Sequence, residues 1–192
     1  MVVSTVLLGL ANSAPALAEN KVWKIDEQTS SVEFSVKHLM VSNVTGRFPS
    51  FSGEIGYDGK NLAQATVKAS VSTGSINTKN QMRDKHLKAE DILAAALYPA
   101  ITFNSDRVVP LADGKFDIVG KLSLHGVEKE VTLHASPLKV HSDKNKQRLS
   151  TTASTDIARK EFNIFVDKAI DKGGAIVGET VKVKLKIDLV EE

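Results

Sequence analysis

The sequence predicts an all-β protein whose strands close into an antiparallel barrel of about eight strands with one helical insert. Apolar and polar residues alternate with a period of two in about nine or ten segments, which are joined mostly by short polar turns. Strands of this kind have one apolar face, so their sheet must pack on another sheet or close on itself. Because only one segment shows a helical pattern, little is available to cover an open sheet, and closure is favoured.

Three alternating segments precede the insert. Residues 31–41 form the first strand, which turns at Ser42-Asn43. Residues 48–57 form the second, which ends at the turn signal Asp58-Gly59, and residues 65–71 form the third. Each segment places its apolar residues on one face, as expected for a half-buried strand.

One helix is predicted over about residues 80–97. Thr78 and Gln81 have the spacing of a capping box, and a proline follows the segment. A break near Lys88 with a restart at Glu90 is the alternative, because Leu87 lies off the apolar face. That face consists of residues with helical spacing, namely Met82, His86, Ala89, Leu93, Ala96 and Leu97.

Six alternating segments follow the insert, and one polar tip separates two of them. The predicted tip is residues 141–147. The predicted strands are residues 101–109, 116–124, 127–135, 149–155, 162–166 and 181–189.

Composition excludes several classes of function. The chain has 192 residues, enough for one domain with a core of its own. Its 25 basic and 23 acidic residues give a net charge of +2 without a basic patch, so no nucleic-acid partner is expected. The sequence contains no cysteine, which excludes disulfides, zinc–thiolate sites and cysteine nucleophiles.

Residues 1–18 are predicted to be a signal peptide. They are uncharged, mostly apolar or small, and end in Ala16-Leu17-Ala18, a small-x-small cleavage pattern. The usual positive charge at the start is missing. The apolar run is shorter than the about 20 residues needed to cross a bilayer, and no other segment is predicted to span a membrane. We therefore expect an exported protein, cleaved near Ala18, with residues 19–192 as a single domain.

The interior of the predicted barrel contains small residues. Ala65, Ala69, Gly120, Thr151 and Ala153 are all at inward positions of the alternating pattern. Because small residues leave volume and native interiors tolerate few voids, an elongated apolar cavity that holds a ligand is expected. The alternative is that leucine and aromatic side chains from opposite strands fill the space.

An ordered series of short motifs runs through the chain, namely residues 23–26 (WKID), 30–39 (SSVEFSVKHL), 44–48 (VTGRF), 75–78 (SINT), 83–87 (RDKHL), 98–103 (YPAITF), 120–127 (GKLSLHGV) and 178–181 (GETV). In this order and spacing the series resembles the YceI-like proteins over nearly all of residues 22–190. The resemblance implies a lipocalin-like extended barrel, commonly periplasmic, whose pore binds polyisoprenoid chains such as those of isoprenoid quinones, or related lipids. It implies no metal or cofactor, and a possible homodimer. Thr29 stands where the family often has histidine, and residues 92–96 are more aliphatic than usual.

The leading functional hypothesis is a non-enzymatic binding protein that holds a polyisoprenoid or other long-chain lipid for sequestration or transport. It predicts that Gly120→Leu blocks lipid loading in a protein that still folds. The candidate ligand-binding residues are Phe34, Val36, His38, Met40, Phe51, Val67, Met82, Arg83, His86, Leu93, Ile101, Phe103, Phe116, Leu122, Leu124, Phe162 and Ile164.

Arg83 and His86 are the candidates for polar chemistry. Arg83 can bind a phosphate or carbonyl head group, and His86 can donate to a quinone carbonyl. The alternative structural role is that Arg83 pairs with a carboxylate and His86 attaches the helix to the barrel. A second functional hypothesis is an enzyme with His86 as acid/base and Arg83 as anion holder, and a third is an interaction protein with a filled core. The five histidines lack metal-ligand spacing, so no metal is expected.

Overall fold

The computed structural model describes residues 21–38, 42–143, 146–166 and 177–192. The predicted signal peptide and the candidate residue Met40 lie outside these ranges. The described elements are one helix, α1 (Gln81–Leu87), and eleven strands: β1 (Lys21–Ile25), β2 (Ser31–His38), β3 (Ser42–Arg47), β4 (Phe51–Tyr57), β5 (Thr66–Ser72), β6 (Ala100–Pro110), β7 (Phe116–Leu124), β8 (Val127–Ala135), β9 (Lys139–Asp143), β10 (Lys146–Ala158) and β11 (Val177–Glu191).

Eight of these strands form a closed antiparallel barrel, which confirms the predicted fold class. Around the barrel the order is β1-β4-β5-β6-β7-β8-β10-β11, and β11 pairs with β1 to close it. The hairpin β2–β3 continues the wall beside β11, and β9 pairs with the start of β10. Each strand of the ring pairs with two neighbours, although β8 and β10 share only the two pairs Ala135–Ala153 and His134–Ser154.

Strand β11 sets the length of the barrel. On one side it pairs with β10 along nearly its whole length, and on the other it pairs first with β2 and then with β1. Its exposed Lys182, Lys184 and Lys186 alternate with Val183 and Leu185, which face the interior. The period-two pattern of the sequence therefore corresponds to the two faces of the wall.

Two apolar clusters lie at opposite ends of the barrel. Leu149 pairs with Leu189 near one end and Ile157 pairs with Val181 near the other, eight residues along both strands, or about 27 Å. The first cluster surrounds Trp23, which is 1% exposed and donates from Nε1 to the Tyr57 carbonyl at 3.2 Å. We call this the Trp23 end. The second cluster packs under α1 and the turns that follow it, and we call this the insert end.

The helical insert is shorter than predicted. Helix α1 ends at Leu87 instead of near residue 97, and consecutive turns follow it, with Ala94 at a φ of 45°. The break near Lys88 is thus confirmed, but no α-helix restarts. The cap is Asn80, whose side chain accepts from the Arg83 amide at 3.0 Å, so the predicted capping role of Thr78 is wrong.

Two other predicted segments differ from the structure. Residues 162–166 are predicted as a strand, but Phe162 is the last residue of the 3-10 turn Arg159–Phe162. The segment pairs with no described strand. Their buried residues do alternate, because Asn163 at a φ of 57° redirects the chain and leaves Phe162 and Ile164 facing the core. Of the polar tip expected at residues 141–147, residues 141–143 belong to β9 and residues 146–147 to β10, which pair with each other, and residues 144–145 lie outside the described ranges.

Candidate functional site

A cavity of about 630 Å³ runs between the two apolar clusters of the barrel. Its wall is formed by inward side chains from most strands and from the insert, and these are predominantly aliphatic or aromatic. Concave, mostly apolar sites of about 300–1,000 Å³ are the kind that enclose a single small-molecule ligand. The described interior is therefore not filled by its own side chains.

Most of the candidate residues border this cavity. Most are held at inward positions of the strands, three come from the insert, and Ile164 lies in the segment after the 3-10 turn Arg159–Phe162. The candidates that line the cavity are Phe34, Val36, His38, Phe51, Val67, Arg83, His86, Leu93, Ile101, Phe103, Phe116, Leu122, Leu124 and Ile164.

Two described candidates do not line the cavity. Met82 is 78% exposed, so its predicted inward position is wrong. The inward face of α1 is formed by Arg83, His86 and Leu87, and Met82 precedes this face by one residue, a rotation of about 100°. Phe162 is 2% exposed but packs in the apolar cluster of the insert end without bordering the cavity.

Arg159 borders the cavity and was not among the candidates. It is 3% exposed, and its guanidinium donates to the carbonyl oxygens of Gly178, Ile164 and Val177 at 2.9 to 3.1 Å. These bonds connect the end of β10 to the start of β11. Arg159 lies in a turn, where no alternating pattern indicates which face a side chain occupies. A single arginine in a turn is expected to be exposed to solvent.

Gly120 lies on the inward-facing register of β7, between Ile118 and Leu122, but it does not border the cavity. A Cβ at this position would lie 2.3 Å from the Asn104 carbonyl oxygen and 2.7 Å from the Ser105 Cα. The main chain of β6 therefore occupies the space that a side chain would need. Because a leucine there would collide with β6, the block of lipid loading expected for Gly120→Leu stays a prediction that this variant does not test cleanly. The other predicted small residues, Ala65, Ala69, Thr151 and Ala153, do border the cavity.

A hydrogen-bond network around Thr78 fixes the insert above the cavity. The Arg83 Nε and Nη2 donate to the Thr78 hydroxyl and carbonyl oxygens at 2.7 and 2.9 Å. The Thr78 amide and hydroxyl donate to Asp84 Oδ1 at 2.8 and 2.6 Å. Thr78 is 5% exposed, so these bonds are shielded from water. The structural role considered for Arg83 is partly correct, but its partner is a threonine and not a carboxylate.

The hairpin β2–β3 contributes an aromatic wall near the insert. The ring of Phe34 lies so close to Gly46 that a Cβ there would be 2.4 Å from the ring. The Phe34 and Phe48 rings have centroids 5.5 Å apart and an interplanar angle of 43°. Gly46 is thus required for the close approach of the ring to β3.

The described wall residues include no aspartate, glutamate or lysine. At the Trp23 end, burial raises the pKa of the Tyr57 hydroxyl, so this group is neutral at physiological pH. Within residues 21–38, 42–143, 146–166 and 177–192, no group of three or more histidine or carboxylate side chains could hold a metal ion. The geometry offers an apolar chamber with hydrogen-bond donors at one end.

Comparison with known proteins identifies the family. A family model described as the YceI-like domain matches residues 23–189. The chain belongs to the YceI-like family. No described helix of this YceI-like protein is both long and apolar enough to cross a membrane.

Relatives of this YceI-like protein span most of its length. A UPF0312 protein of Vibrio parahaemolyticus is 34% identical over 160 residues, covering 82% of this chain and 85% of its own. A UPF0312 protein of Shewanella denitrificans is 33% identical over 189 residues, covering 97% and 94%.

Solved structures share the fold. BcnA of Burkholderia cenocepacia has a TM-score of 0.72 at 24% identity, covering 85% of this chain and 98% of its own. A polyisoprenoid binding domain from Saccharophagus degradans, implicated in plant cell wall breakdown, has a TM-score of 0.70 at 16% identity, covering 88% and 98%. The YceI protein of Campylobacter jejuni has a TM-score of 0.68 at 25% identity, covering 81% and 90%.

Proposed function

We propose that this YceI-like protein is an exported, non-enzymatic binding protein that holds one long-chain lipid in its barrel, for sequestration or transport. A polyisoprenoid, such as the tail of an isoprenoid quinone, is the proposed ligand class. The observation that supports this most is the continuous apolar wall around a cavity of about 630 Å³. The Saccharophagus degradans domain, which shares the fold, is described as polyisoprenoid binding.

The apolar wall accounts for the affinity that such a carrier needs. Each buried methylene contributes about 0.8 kcal/mol, so a long tail outweighs the entropy lost on binding. If a methylene occupies about the 30 Å³ of a water molecule, the cavity of 630 Å³ accommodates on the order of 20 carbon atoms. We therefore propose that the cavity encloses about this much of the tail.

Binding is favoured over catalysis by the composition of the wall. The enzyme hypothesis requires His86 as acid/base with Arg83 as anion holder, and both residues do border the cavity. A catalytic histidine is normally oriented by a carboxylate or another fixed partner. The described wall residues include no carboxylate that could orient His86.

A matched pair of variants on β10 tests the proposal. Thr155 borders the cavity, whereas its neighbour Ser154 is exposed on the outer face. We expect Thr155→Phe to reduce lipid binding about tenfold or more, because the ring takes volume from the tail. Ser154→Phe adds the same ring outside the barrel and should bind as the wild type does. The measurement is native mass spectrometry of the purified proteins with organic extraction of the released ligand, followed by titration with a geranylgeranyl-tailed lipid. Equal binding by folded Thr155→Phe would contradict the assignment of the cavity as the binding site.

A further inference from the structure

The charged groups of the cavity wall are concentrated at the insert end. The wall residues of the Trp23 cluster have apolar side chains apart from the Tyr57 hydroxyl, and the neighbouring Thr151 adds a second uncharged hydroxyl at this end. The described wall residues include no acidic side chain and no lysine. The wall residues with basic side chains all lie near the insert, and they are His38, Arg83, His86 and Arg159. A molecule in this cavity therefore has an apolar environment at one end and guanidinium and imidazole groups at the other.

The position of the Arg83 guanidinium is fixed by the fold. Two of its nitrogen atoms donate to Thr78, and Thr78 is itself buried. Arg83 also lies at the third position of α1, whose start is fixed by Asn80. Because these contacts hold the side chain beside the cavity in the protein alone, little conformational entropy would be lost when a ligand binds it.

The nearest carboxylate does not neutralise Arg83 directly. Asp84 accepts both the amide and the hydroxyl hydrogen of Thr78, so Thr78 stands between the two charged side chains. Among the residues that the structure describes, no carboxylate forms an ion pair with Arg83, and its Nη1 donates to none of them. Arg83 is half-buried and has no direct counter-ion among these residues, so its positive charge is available to an anion in the cavity.

His86 provides a second donor at the same place. It follows Arg83 by three residues on α1, so the two side chains lie on one face of the helix, and both border the cavity. An imidazole N–H can donate to an oxygen that the guanidinium also contacts. The two residues therefore place hydrogen-bond donors side by side at one end of the apolar chamber.

We propose that the long-chain lipid bound by this protein has an anionic head group, a carboxylate or a phosphate, instead of a neutral quinone head, and that Arg83 binds this head while the tail extends toward the Trp23 end. This inference rests on the proposed function, since it assigns the head of the same lipid. Because Nε and one hydrogen of Nη2 are used by Thr78, the Nη1 hydrogens and the second Nη2 hydrogen are left for the head group, and a guanidinium binds either oxyanion more strongly than it binds a hydroxyl or a ketone. Arg83 thereby becomes the residue that determines head-group specificity.

Three ligands with identical tails distinguish the contribution of the head group to affinity from that of the tail. The purified protein is titrated with hexadecanol, hexadecanoic acid and hexadecyl phosphate below their aggregation concentrations, and displacement of a fluorescent lipid is measured. The wild type should bind at least one of the two anions about tenfold or more tightly than the alcohol. The anion with the larger preference identifies the class of head group. Arg83→Gln should remove the preference, so that the anions bind no more tightly than the alcohol.

Control variants make the test specific to Arg83. Arg47 is exposed on β3 near the insert and does not border the cavity, so Arg47→Gln should retain the preference for anions. Arg83→Lys keeps the positive charge but loses the planar guanidinium, so it should lower the preference for anions over the alcohol severalfold. This variant also provides the test if Arg83→Gln fails to fold. Equal wild-type affinity for acid, phosphate and alcohol would overturn the inference, as would an undiminished preference in the Arg83 variants. Failure of all three ligands to bind would instead overturn the proposed function on which it rests.

Discussion

At the scale of single residues, one ion pair joins parts of the chain that are far apart in sequence. Arg148 at the start of β10 binds the carboxylate of Asp26, which follows β1, and it also donates to Thr29 at 3.3 Å. The two charged side chains are only 14% and 21% exposed. The hydrogen bond from Arg148 holds the pKa of the Asp26 carboxyl below its ordinary value of 3.8. This pair therefore makes the stability of the Trp23 end depend on pH.

The sign of that dependence follows from the lowered pKa of Asp26. The pair contributes fully above pH 3.8, where the unfolded chain is also ionised, and its contribution is lost as the pH falls through the lower pKa of the folded state. We expect Asp26→Asn to lower the free energy of unfolding by about 1 kcal/mol at pH 7 and by less at pH 2.5. Urea unfolding at the two pH values measures both differences.

The exposed Asp106→Asn serves as the control and should change the free energy of unfolding by less than about 0.5 kcal/mol. If Asp26→Asn lowered the free energy of unfolding equally at both pH values, ionisation of the Asp26 carboxylate would not contribute to stability.

The sequence predicted residues on regular strands better than residues in turns. Phe103 and Leu122 were placed at the cavity because alternation along a strand fixes the face of each side chain. Arg159 and the pairing of Asp26 with Arg148 were missed, since no local pattern connects residues that meet only through the tertiary fold. Met82 was misplaced because in a helix of two turns a difference of one residue decides the face.

At the scale of elements, the contact between β6 and β7 depends on one glycine. The register of β6 shifts between Ser105 and Arg107, and Gly120 of β7 lies against the main chain just before this shift. We expect Gly120→Ala to lower the free energy of unfolding by about 1 to 3 kcal/mol, because the new methyl group would collide with the main chain of β6. Thermal or urea denaturation measures the change.

Gly74 provides a matched control for this substitution, because a Cβ there would meet nothing within 4 Å. Gly74→Ala should leave the stability unchanged or slightly improved. If the two alanine variants were equally stable, the close approach of β6 to Gly120 would not exist in solution.

The elements themselves were only partly predictable. Strands such as β7 and β8 were predicted at nearly their observed bounds, because their alternation is uninterrupted. Helix α1 was overestimated since the residues after Leu87 keep a helical spacing of apolar side chains while Ala94 adopts a positive φ. Packing of Ile92 and Leu93 on the barrel, and not local propensity, decides the path of that segment.

At the scale of the whole molecule, the cavity separates two clusters that would otherwise form one core. A ligand that fills the space connects them and stabilises the folded state by mass action, by about 2.7 kcal/mol at a hundredfold excess over Kd. We therefore expect lipids of the proposed class to raise Tm by roughly 5 to 10 °C. Across a series of tails the increase should grow and then level off at on the order of 20 carbon atoms, where the cavity is full.

Differential scanning fluorimetry with such a series tests this expectation. Every lipid is used at the same concentration, which is set at a fixed multiple of the Kd measured for the shortest member. The Thr155→Phe variant should show a smaller increase and an earlier plateau. A Tm that does not respond to any tail would indicate that the lipids bind outside the cavity or not at all.

The barrel class was predictable because few other architectures can bury the apolar faces of about ten amphipathic strands with only one helix. Whether its interior was filled could not be decided from the sequence. The small residues Ala69 and Thr151 indicated unfilled volume in the interior. Whether large side chains on opposite strands fill that volume depends on the shear and tilt of the barrel, which the alternating pattern of the sequence does not specify.

The pairing of β11 determines when the barrel can form. This strand comes after all the others along the chain, and it pairs with β1 and β2, from which it is separated by most of the sequence, as well as with β10. Contacts between such distant segments make folding slow, because the loop must close before any pairing is gained. Until β11 emerges during synthesis, β1 and β10 present unpaired edges. Barrel closure is thus a late and cooperative event, and its timing is set by the final strand.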